Sequence, residues 1–255
     1  MIKDLEFFLK KLFFSESFLL NRRLDRAIKK NYEKELSIIN KFQNKKKSAI
    51  DIGVYRGVYS YKLSQLFKHV YAYEPNPLIF PYLEKNLCKI IKNITLRNFA
   101  LSNTSGKVNL KIPHRSKSIF KKNIEELYRL GLATIHDNKN YSNYEKIQVE
   151  RIKLDEDLKN TDIGFIKIDV EGHEKEVIEG ANNLILNSKP ILLIEIIKEH
   201  GGKPINETIN FVCKLGYRPY FCKDNELYSL DKLKNLNEEN NFFFLPQKTN
   251  QLLVS

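Results

Sequence analysis

The chain has 255 residues, enough to bury one α/β core, and its hydrophobic share of 42% and charged share of 29% are typical of a soluble globular protein. No apolar run reaches the roughly 20 residues that a membrane-spanning helix needs. Cys88, Cys213 and Cys222 are too widely spaced for a disulfide framework or a zinc site. The N-terminus carries acids too early for a signal peptide, so we expect a cytoplasmic protein.

The formal net charge of +12 raises the question of a nucleic-acid partner. Residues 1–47 hold thirteen Lys and Arg against six Asp and Glu, a net charge of +7. Most of the excess therefore lies outside the region that carries the motifs described below. We expect solvated helix faces there and do not expect a nucleic-acid partner.

An N-terminal helical extension, residues 1–47, is predicted to precede a single domain over 48–255. Apolar residues recur at helical spacing over 3–20 and again over 24–39, which predicts two amphipathic helices. We expect these helices to pack on the core or on a second copy in a homodimer. Because their aromatic residues face lysines, weak association with an anionic membrane surface is the alternative.

From residue 48 onward strands and helices alternate, which predicts an α/β fold with a mostly parallel central sheet and helices on both faces. Two final strands are predicted to form an antiparallel pair. The expected strands are 48–53, 69–73, 94–98, 106–112, 146–152, 163–169, 190–195, 217–221 and 241–245. The expected helices are 57–67, 77–91, 154–158 with Asp155 as a cap, 173–186 and 205–215.

Residues 113–145 interrupt this alternation. They are polar, with one helical patch over 124–130 and aromatic residues beyond it. A segment of this kind between two core strands is typical of a lid or substrate loop, and a plain insertion is the alternative.

Four acids end separate predicted central strands, and ligands of open α/β sheets bind beyond the carboxyl ends of the strands. These acids are Asp51, Glu74, Asp169 and Glu195. Since parallel strands end at one edge of the sheet, we expect the four side chains to converge on one rim.

The first turn of this sheet discriminates between cofactors. Gly53 and Gly57 are spaced more tightly than the G-x-G-x-x-G pattern of dinucleotide sites, and Asp51 beside them repels phosphate. An acid there suits S-adenosylmethionine, which carries a sulfonium and an ammonium group. Asp51 would order the turn or bind the ammonium, Gly53 would let the backbone approach, and Glu74 would bind the ribose hydroxyls.

With these residues in place, the sequence resembles the FkbM family of S-adenosylmethionine-dependent methyltransferases. The most specific match is Lys-Ile-Asp-Val-Glu-Gly at residues 167–172. The resemblance extends over about residues 48–197, and it is carried by residues 50–60, 73–77, 98–102, 152–155, 166–174, 180–181 and 193–195. It implies a Rossmann-like methyltransferase fold.

The resemblance also extends the cofactor site, to which it adds Pro75, Asn76, Asn98 and Ala100. One departure concerns Tyr55, since the family commonly has asparagine at that position. If that asparagine holds the methionine moiety, Tyr55 must hold it in a different way.

The implied activity is methyl transfer to a hydroxyl of a sugar, a glycan or a small metabolite. Asp169 and Glu195 are the expected catalytic acids, with a magnesium ion between them as one way to activate the acceptor. His173 is the alternative base. Lys167 is expected to neutralise a neighbouring acid. An RNA acceptor and an inactive scaffold are the competing functions.

Overall fold

The computed structural model describes residues 13–113, 131–136, 143–197 and 205–247. The strands of this part of the chain are β1 (Ser48–Ile52), β2 (Val70–Tyr73), β3 (Ile94–Arg97), β4 (Ala100–Leu101), β5 (Gly106–Pro113), β6 (Tyr144–Ile152), β7 (Ile163–Ile168), β8 (Ile191–Glu195), β9 (Tyr217–Lys223), β10 (Glu226–Ser229) and β11 (Asn241–Pro246).

Eight of these strands form the central sheet, in the order β10-β9-β11-β8-β7-β1-β2-β3. The five strands from β8 to β3 are parallel, whereas β11 runs antiparallel between β8 and β9. The predicted α/β fold and its C-terminal antiparallel pair are therefore confirmed. The edge strand β10 was not predicted.

Helices cover both faces of the sheet. They are α1 (Glu16–Lys29), α2 (Glu35–Ile38), α3 (Val58–Leu66), α4 (Phe80–Ile90), α5 (Leu154–Asp157), α6 (Glu174–Glu179), α7 (Asn182–Ser188) and α8 (Ile205–Lys214), with short 3₁₀ turns at Ile39–Phe42, Leu230–Lys232 and Leu236–Glu238. Leu24, Leu63 and Leu83 of α1, α3 and α4 share one buried cluster. Val177 and Val212 of α6 and α8 lie in the cluster on the opposite face.

The N-terminal helices differ from the prediction. The expected break between residues 20 and 24 lies inside the continuous helix α1, and the expected start at residue 3 lies outside the described residues. Ser15 caps α1, because its Oγ accepts the Phe18 N–H at 3.2 Å. Leu20 and Leu24 pack in the same buried cluster as α3 and α4.

The proposed boundary at residue 47 stays a prediction, although the described part of the extension shares the core of the domain that follows. Phe13, Phe14 and Phe18 are exposed on it. Membrane-surface association and homodimer formation also stay predictions. None of the described helices is long and apolar enough to cross a membrane.

A second, three-stranded sheet has the order β4-β6-β5. β5 and β6 thus leave the central sheet that they were expected to extend. Of the predicted insertion over 113–145, residues 131–136 lie against this sheet, since Thr134 pairs with Lys111 of β5 through two backbone hydrogen bonds of 2.8 and 3.0 Å. The predicted helical patch over 124–130 lies outside the described residues.

The single helix expected over 173–186 is divided into α6 and α7 at Gly180 and Ala181. A Cβ atom on Gly180 would lie 2.0 Å from the carbonyl oxygen of Ser102. The chain therefore needs a glycine where this region approaches the backbone that follows β4.

The predicted role of Asp155 as a cap of its own helix was wrong. Asp155 lies within α5, and its two carboxylate oxygens accept the N–H groups of Asn183 and Leu184, each at 2.9 Å. It therefore caps α7, which lies 28 residues further along the chain. A carboxylate at this position satisfies backbone donors that a helix start leaves free.

We expect Asp155→Ala to lower the free energy of unfolding by about 1 kcal/mol, the usual cost of losing a helix cap. Urea unfolding followed by circular dichroism measures the difference. Glu156→Ala is the comparison, because Glu156 is an exposed neighbour whose carboxylate bonds the Ser105 hydroxyl and Lys153 rather than the N–H groups of α7. If both variants unfold at the same urea concentration as the wild type, Asp155 does not stabilise α7.

Candidate functional site

A pocket of about 230 Å³ lies beyond the carboxyl ends of β1, β2 and β7, with β4, β5 and residues 131–136 on its other side. Seven predicted site residues line it, namely Gly53, Tyr55, Glu74, Pro75, Ala100, Asp169 and His173. Five others do not line it, namely Asp51, Gly57, Asn76, Asn98 and Glu195. Of the four acids expected to converge on one rim, Glu74 and Asp169 line the pocket, whereas Asp51 and Glu195 do not.

Gly53 permits a close approach between two strand ends. Its φ is +82°, and a Cβ atom there would lie 1.9 Å from the carbonyl oxygen of Asp169. Gly57 precedes α3 with φ +77°, and a Cβ there would lie 2.8 Å from the Leu87 side chain. The first glycine thus packs the β1 turn against the end of β7, and the second packs α3 against α4.

Tyr55 occupies the left-handed region with φ +48°, which is costly for a residue with a large side chain. Asparagine tolerates this conformation better, which gives a backbone reason for the asparagine expected there from the resemblance. The Tyr55 ring contacts the Arg56 guanidinium, 5.1 Å from its centroid. A Cβ on Gly131 would lie 2.8 Å from the same ring, so Tyr55 closes the turn against residues 131–136.

Glu74 is buried and anchors two backbone segments. Its Oε2 accepts the Tyr55 N–H at 2.8 Å and its Oε1 accepts the Asn76 N–H at 2.9 Å. Burial raises the pKa of Glu74 to about 7, and these two hydrogen bonds oppose the rise. Asn98 donates to the Glu74 carbonyl at 2.7 Å, and the Asn76 side chain accepts the Leu78 N–H at 3.0 Å. Both asparagines therefore support the end of β2.

Asp51 is fully buried behind the pocket. Its Oδ2 accepts the Ser60 hydroxyl of α3 at 2.6 Å, and its Oδ1 lies 4.0 Å from the Lys167 ammonium with no hydrogen-bond partner among the described residues. Burial raises the pKa of Asp51, and the Lys167 charge opposes the rise. Asp51 was predicted either to order the turn or to bind the ammonium group of the cofactor. The hydrogen bond from the Ser60 hydroxyl of α3 corresponds to the first of these roles.

Lys167 connects the strand ends at the centre of the site. Its buried ammonium donates to the Gly53 carbonyl at 3.1 Å and to Asp169 Oδ2 at 3.0 Å, and it lies 5.1 Å from the centroid of the Tyr59 ring. Burial lowers the pKa of Lys167, but the charges of Asp169 and Asp51 outweigh burial and raise it above its usual value. Lys167 is therefore a cation that holds the β1 turn against the end of β7.

Glu195 and Asp169 form a hydrogen-bonded pair of acids. Burial, followed by the charge of Asp169 and the hydrogen bond to it, raises the pKa of Glu195 to about 9. This raised pKa favours the protonated form of Glu195, whose carboxyl then donates a hydrogen bond to Asp169. Among the described residues no group of three or more His, Cys, Asp and Glu side chains could hold a metal ion. In this part of the chain, Asp169 and Glu195 therefore have no third side-chain ligand with which to bind the predicted magnesium ion.

His173 lines the pocket from the start of α6. Its Nε2 lies 2.9 Å from the Ser102 hydroxyl and its Nδ1 lies 3.6 Å from Glu176 Oε2. The turn before it carries two left-handed residues, Glu171 with φ +60° and Gly172 with φ +101°. These contacts direct both ring nitrogens of His173 toward protein groups.

Thr134 was missed by the sequence analysis. Its hydroxyl donates to the Glu171 carbonyl at 2.9 Å, while its backbone pairs with β5. Residues 131–136 thereby form a wall of the pocket, which includes Leu132 and Ile135. The sequence carries no periodic pattern that would reveal this wall, because β4, β5 and residues 131–136, which are separate segments of the chain, build it together.

A family model for the methyltransferase FkbM domain matches residues 51–219, well over half of the chain. The matched stretch contains all four acids that end the predicted strands. The search of curated proteins found no significant match.

Solved structures resemble this fold at low identity. An FkbM methyltransferase from Methylobacillus flagellatus KT has a TM-score of 0.49 and 16% identity, covering 78% of this chain and 43% of that one. The chain thus spans less than half the length of that protein. SMU.1697c, a putative methyltransferase from Streptococcus mutans in complex with SAH, has a TM-score of 0.47 and 14% identity, and the match covers 82% of this chain and 93% of that one. An rRNA methylase from Streptococcus thermophilus has a TM-score of 0.44 and 14% identity, and the match covers 82% of this chain and 91% of that one.

The raised pKa of Glu195 predicts a specific pH dependence of stability. Because its pKa is higher in the folded protein than in the unfolded chain, its contribution is fully present below about pH 4.5 and is lost as the pH rises toward 9. Glu195→Gln keeps a hydrogen-bond donor toward Asp169 and cannot ionise. We therefore expect the variant to gain stability relative to the wild type as the pH rises from 5 to 9.

Urea unfolding at several pH values measures this difference. Glu145→Gln is the matched control, since Glu145 is exposed on β6, and its difference from the wild type should not change with pH. A constant difference between Glu195→Gln and the wild type over this range would contradict the proton assignment.

Proposed function

The chain belongs to the FkbM methyltransferase family, and from this membership we propose that it binds S-adenosylmethionine in the pocket. It transfers the methyl group to a hydroxyl oxygen of a sugar, a glycan or a small metabolite.

The observation that carries this proposal is the charge of the pocket lining. Glu74, Asp169 and Glu171 line the pocket, and its described lining contains no Lys or Arg. Such a lining favours a ligand with a sulfonium and an ammonium group over one with phosphates. Glu74 stands where an acid binds ribose hydroxyls in nucleotide-binding α/β folds. Ile52 and Leu101 supply apolar surface suited to the adenine ring.

Bound S-adenosylmethionine supplies an electrophilic methyl group, and holding the acceptor oxygen in line with it provides much of the rate acceleration. The acceptor hydroxyl must also lose a proton. We assign Asp169 as the base, because its partly exposed carboxylate lines the pocket whereas Glu195 does not line it. A positioned base of this kind contributes about 10²- to 10⁴-fold to the rate.

The surroundings of Asp169 support this assignment over His173. Lys167 donates to one carboxylate oxygen, and Glu195, whose raised pKa favours its protonated form, adds a second hydrogen bond. These contacts fix the orientation of the carboxylate toward the pocket. His173, by contrast, directs its ring nitrogens at Ser102 and Glu176, so we assign it to holding the pocket wall.

The same acidic lining favours a neutral or cationic acceptor over RNA, whose phosphates would meet three carboxylates. The intact set of strand-end acids favours an active enzyme over a scaffold. Both alternatives are tested by the binding and turnover measurements that follow.

We expect S-adenosylhomocysteine to bind with micromolar affinity in titration calorimetry, and ATP and NAD not to compete with it. Glu74→Gln should weaken this binding about tenfold or more, because it replaces a carboxylate that would bond to the ribose hydroxyls. Glu35→Gln is the matched control, since Glu35 is also buried with a pKa raised to about 7 by burial but does not line the pocket.

No binding by well-folded wild-type protein would overturn the cofactor assignment and favour the scaffold. Equal weakening by Glu74→Gln and Glu35→Gln would show that loss of a buried acid, rather than loss of a ligand contact, is responsible.

We expect Asp169→Asn to lower turnover at least about 100-fold, a much larger factor than the one by which it raises the Kd for S-adenosylhomocysteine through the lost contact with Lys167. Transfer of labelled methyl groups to a panel of sugars, polyols, phenols and RNA measures turnover, with and without magnesium. His173→Gln is the comparison. If it lowers turnover more than Asp169→Asn does, the base is His173 and our assignment is wrong.

A further inference from the structure

The helix α1 packs on the domain with one face and presents the other to solvent. Leu20, Leu24 and Ala27 are its buried residues. Side chains three or four positions apart lie on the same side of a helix, so the residues opposite these three form a second continuous face. This outer face of α1 consists of one aromatic and three basic side chains, all exposed, namely Phe18, Arg22, Arg26 and Lys29.

Two phenylalanines form an exposed aromatic pair at the start of the outer face. Phe14 precedes the helix and stacks on Phe18, with the ring centroids 4.9 Å apart and the ring planes at 16°. Each of the two is 43% exposed, and the neighbouring Phe13 is 77% exposed. Exposed aromatic residues that are grouped in this way, rather than scattered singly, are typical of a surface that contacts another molecule or an apolar phase.

The two acids of α1 bond residues of the domain. Glu16 accepts the Lys85 ammonium of α4 at 3.1 Å, and Asp25 accepts the Tyr61 hydroxyl of α3 at 2.7 Å. The helix itself carries four basic residues against these two acids, and residues 1–47 together carry a net charge of +7. The outer face therefore keeps an excess of positive charge next to its aromatic pair.

We propose that the outer face of α1 binds the surface of an anionic lipid bilayer. Phe14 and Phe18 enter the headgroup region, and the three basic residues of the face contact the anionic headgroups. Aromatic rings are favourable at the boundary between headgroups and acyl chains, and Lys and Arg are attracted to the negative surface beside it. Each basic residue there strengthens binding about fivefold, an effect that salt weakens. The inference is independent of the cofactor and of the methyl acceptor.

The geometry favours a bilayer over a nucleic acid or a second copy of the chain. Proteins that bind single strands hold them in a charged groove and stack bases on separate rings, whereas Phe14 and Phe18 stack on each other on the outer side of a helix. A two-fold dimer through this face would bring Arg22 and Arg26 of both copies together, and their like charges repel. A bilayer surface can contact the face along its whole length, about 16 Å from Phe18 to Lys29.

Co-sedimentation of the full chain with vesicles tests the proposal. We expect binding to vesicles of phosphatidylcholine and phosphatidylserine in a ratio of about 2:1, weaker binding at high salt, and no binding to phosphatidylcholine alone. Arg22→Gln combined with Arg26→Gln should lower the partition coefficient at least about tenfold. Phe14→Ala combined with Phe18→Ala should lower it by about the same factor, because the rings no longer enter the headgroup region.

The matched control for charge is Arg218→Gln combined with Lys223→Gln, which removes the same two charges. Both residues are exposed on β9, which β11, β8 and β7 separate from β1 in the central sheet. We expect this double variant to bind vesicles as the wild type does. If it loses as much binding as the Arg22 and Arg26 variant, the attraction belongs to the net charge of +12 as a whole and the proposal is wrong.

A fluorescence measurement locates the contact. The chain contains no tryptophan, so one introduced indole is the only one that reports. Phe18→Trp places it on the outer face, and Leu186→Trp is the control, because Leu186 is 40% exposed on α7, which packs on the opposite face of the sheet. We expect vesicles with phosphatidylserine to shift the emission of Phe18→Trp to shorter wavelength and to leave that of Leu186→Trp unchanged.

Three results would overturn the proposal. The first is wild-type protein that does not bind vesicles with phosphatidylserine. The second is bound protein in which the emission of Phe18→Trp does not shift, since another surface would then make the contact. The third is a dimer or an RNA complex that forms without vesicle binding and is lost in the Phe14 and Phe18 variant, which would assign the outer face to that partner. None of these results depends on whether the protein binds S-adenosylhomocysteine.

Discussion

The structure depends on one buried ammonium. Lys167 lies where the ends of β1 and β7 meet, and it bonds the Gly53 carbonyl and Asp169 while facing Asp51 at 4.0 Å. A parallel sheet that ends its central strands on acids gathers negative charge in a desolvated region, which is costly unless a cation matches it. The same ammonium holds the β1 turn through the Gly53 carbonyl. Lys167 therefore both stabilises the fold of the rim and balances the negative charge of the site.

The acids at this rim differ in their pKa values and in their hydrogen-bond partners. The raised pKa of Glu195 favours its protonated form, the Asp169 carboxylate lines the pocket, and Glu74 accepts two backbone N–H groups. A raised pKa alone does not mark a site, because burial also raises the pKa of Glu35 to about 7 away from the pocket. What distinguishes Glu74 is its place at a strand end beside Gly53. Position in the fold therefore carries the functional inference, and the pKa supports it.

The sequence predicts those features that depend on local patterns. The apolar runs that end in acids predicted the strands of the central sheet, and seven of the predicted site residues line one pocket. The features that it missed depend on contacts between distant segments. Asp155 caps a helix far along the chain, Gly180 must approach the Ser102 carbonyl, and β5 and β6 pair with β4 in a separate sheet. No periodicity records such contacts, because each partner by itself is an ordinary residue in its own segment.

The pocket has two walls with different origins, and this difference bears on acceptor choice. One wall consists of the strand ends, where Lys167 holds Asp169 and two backbone N–H groups hold Glu74, which leaves little freedom for change. The other wall consists of the second sheet and residues 131–136, which meet the turn before α6 where Thr134 bonds the Glu171 carbonyl. Its lining includes Leu110, Leu132 and Ile135, which pack without charge constraints. Substitutions there can reshape the pocket without disturbing the buried ammonium, and on the proposed function they would change acceptor specificity while leaving Asp169 in place.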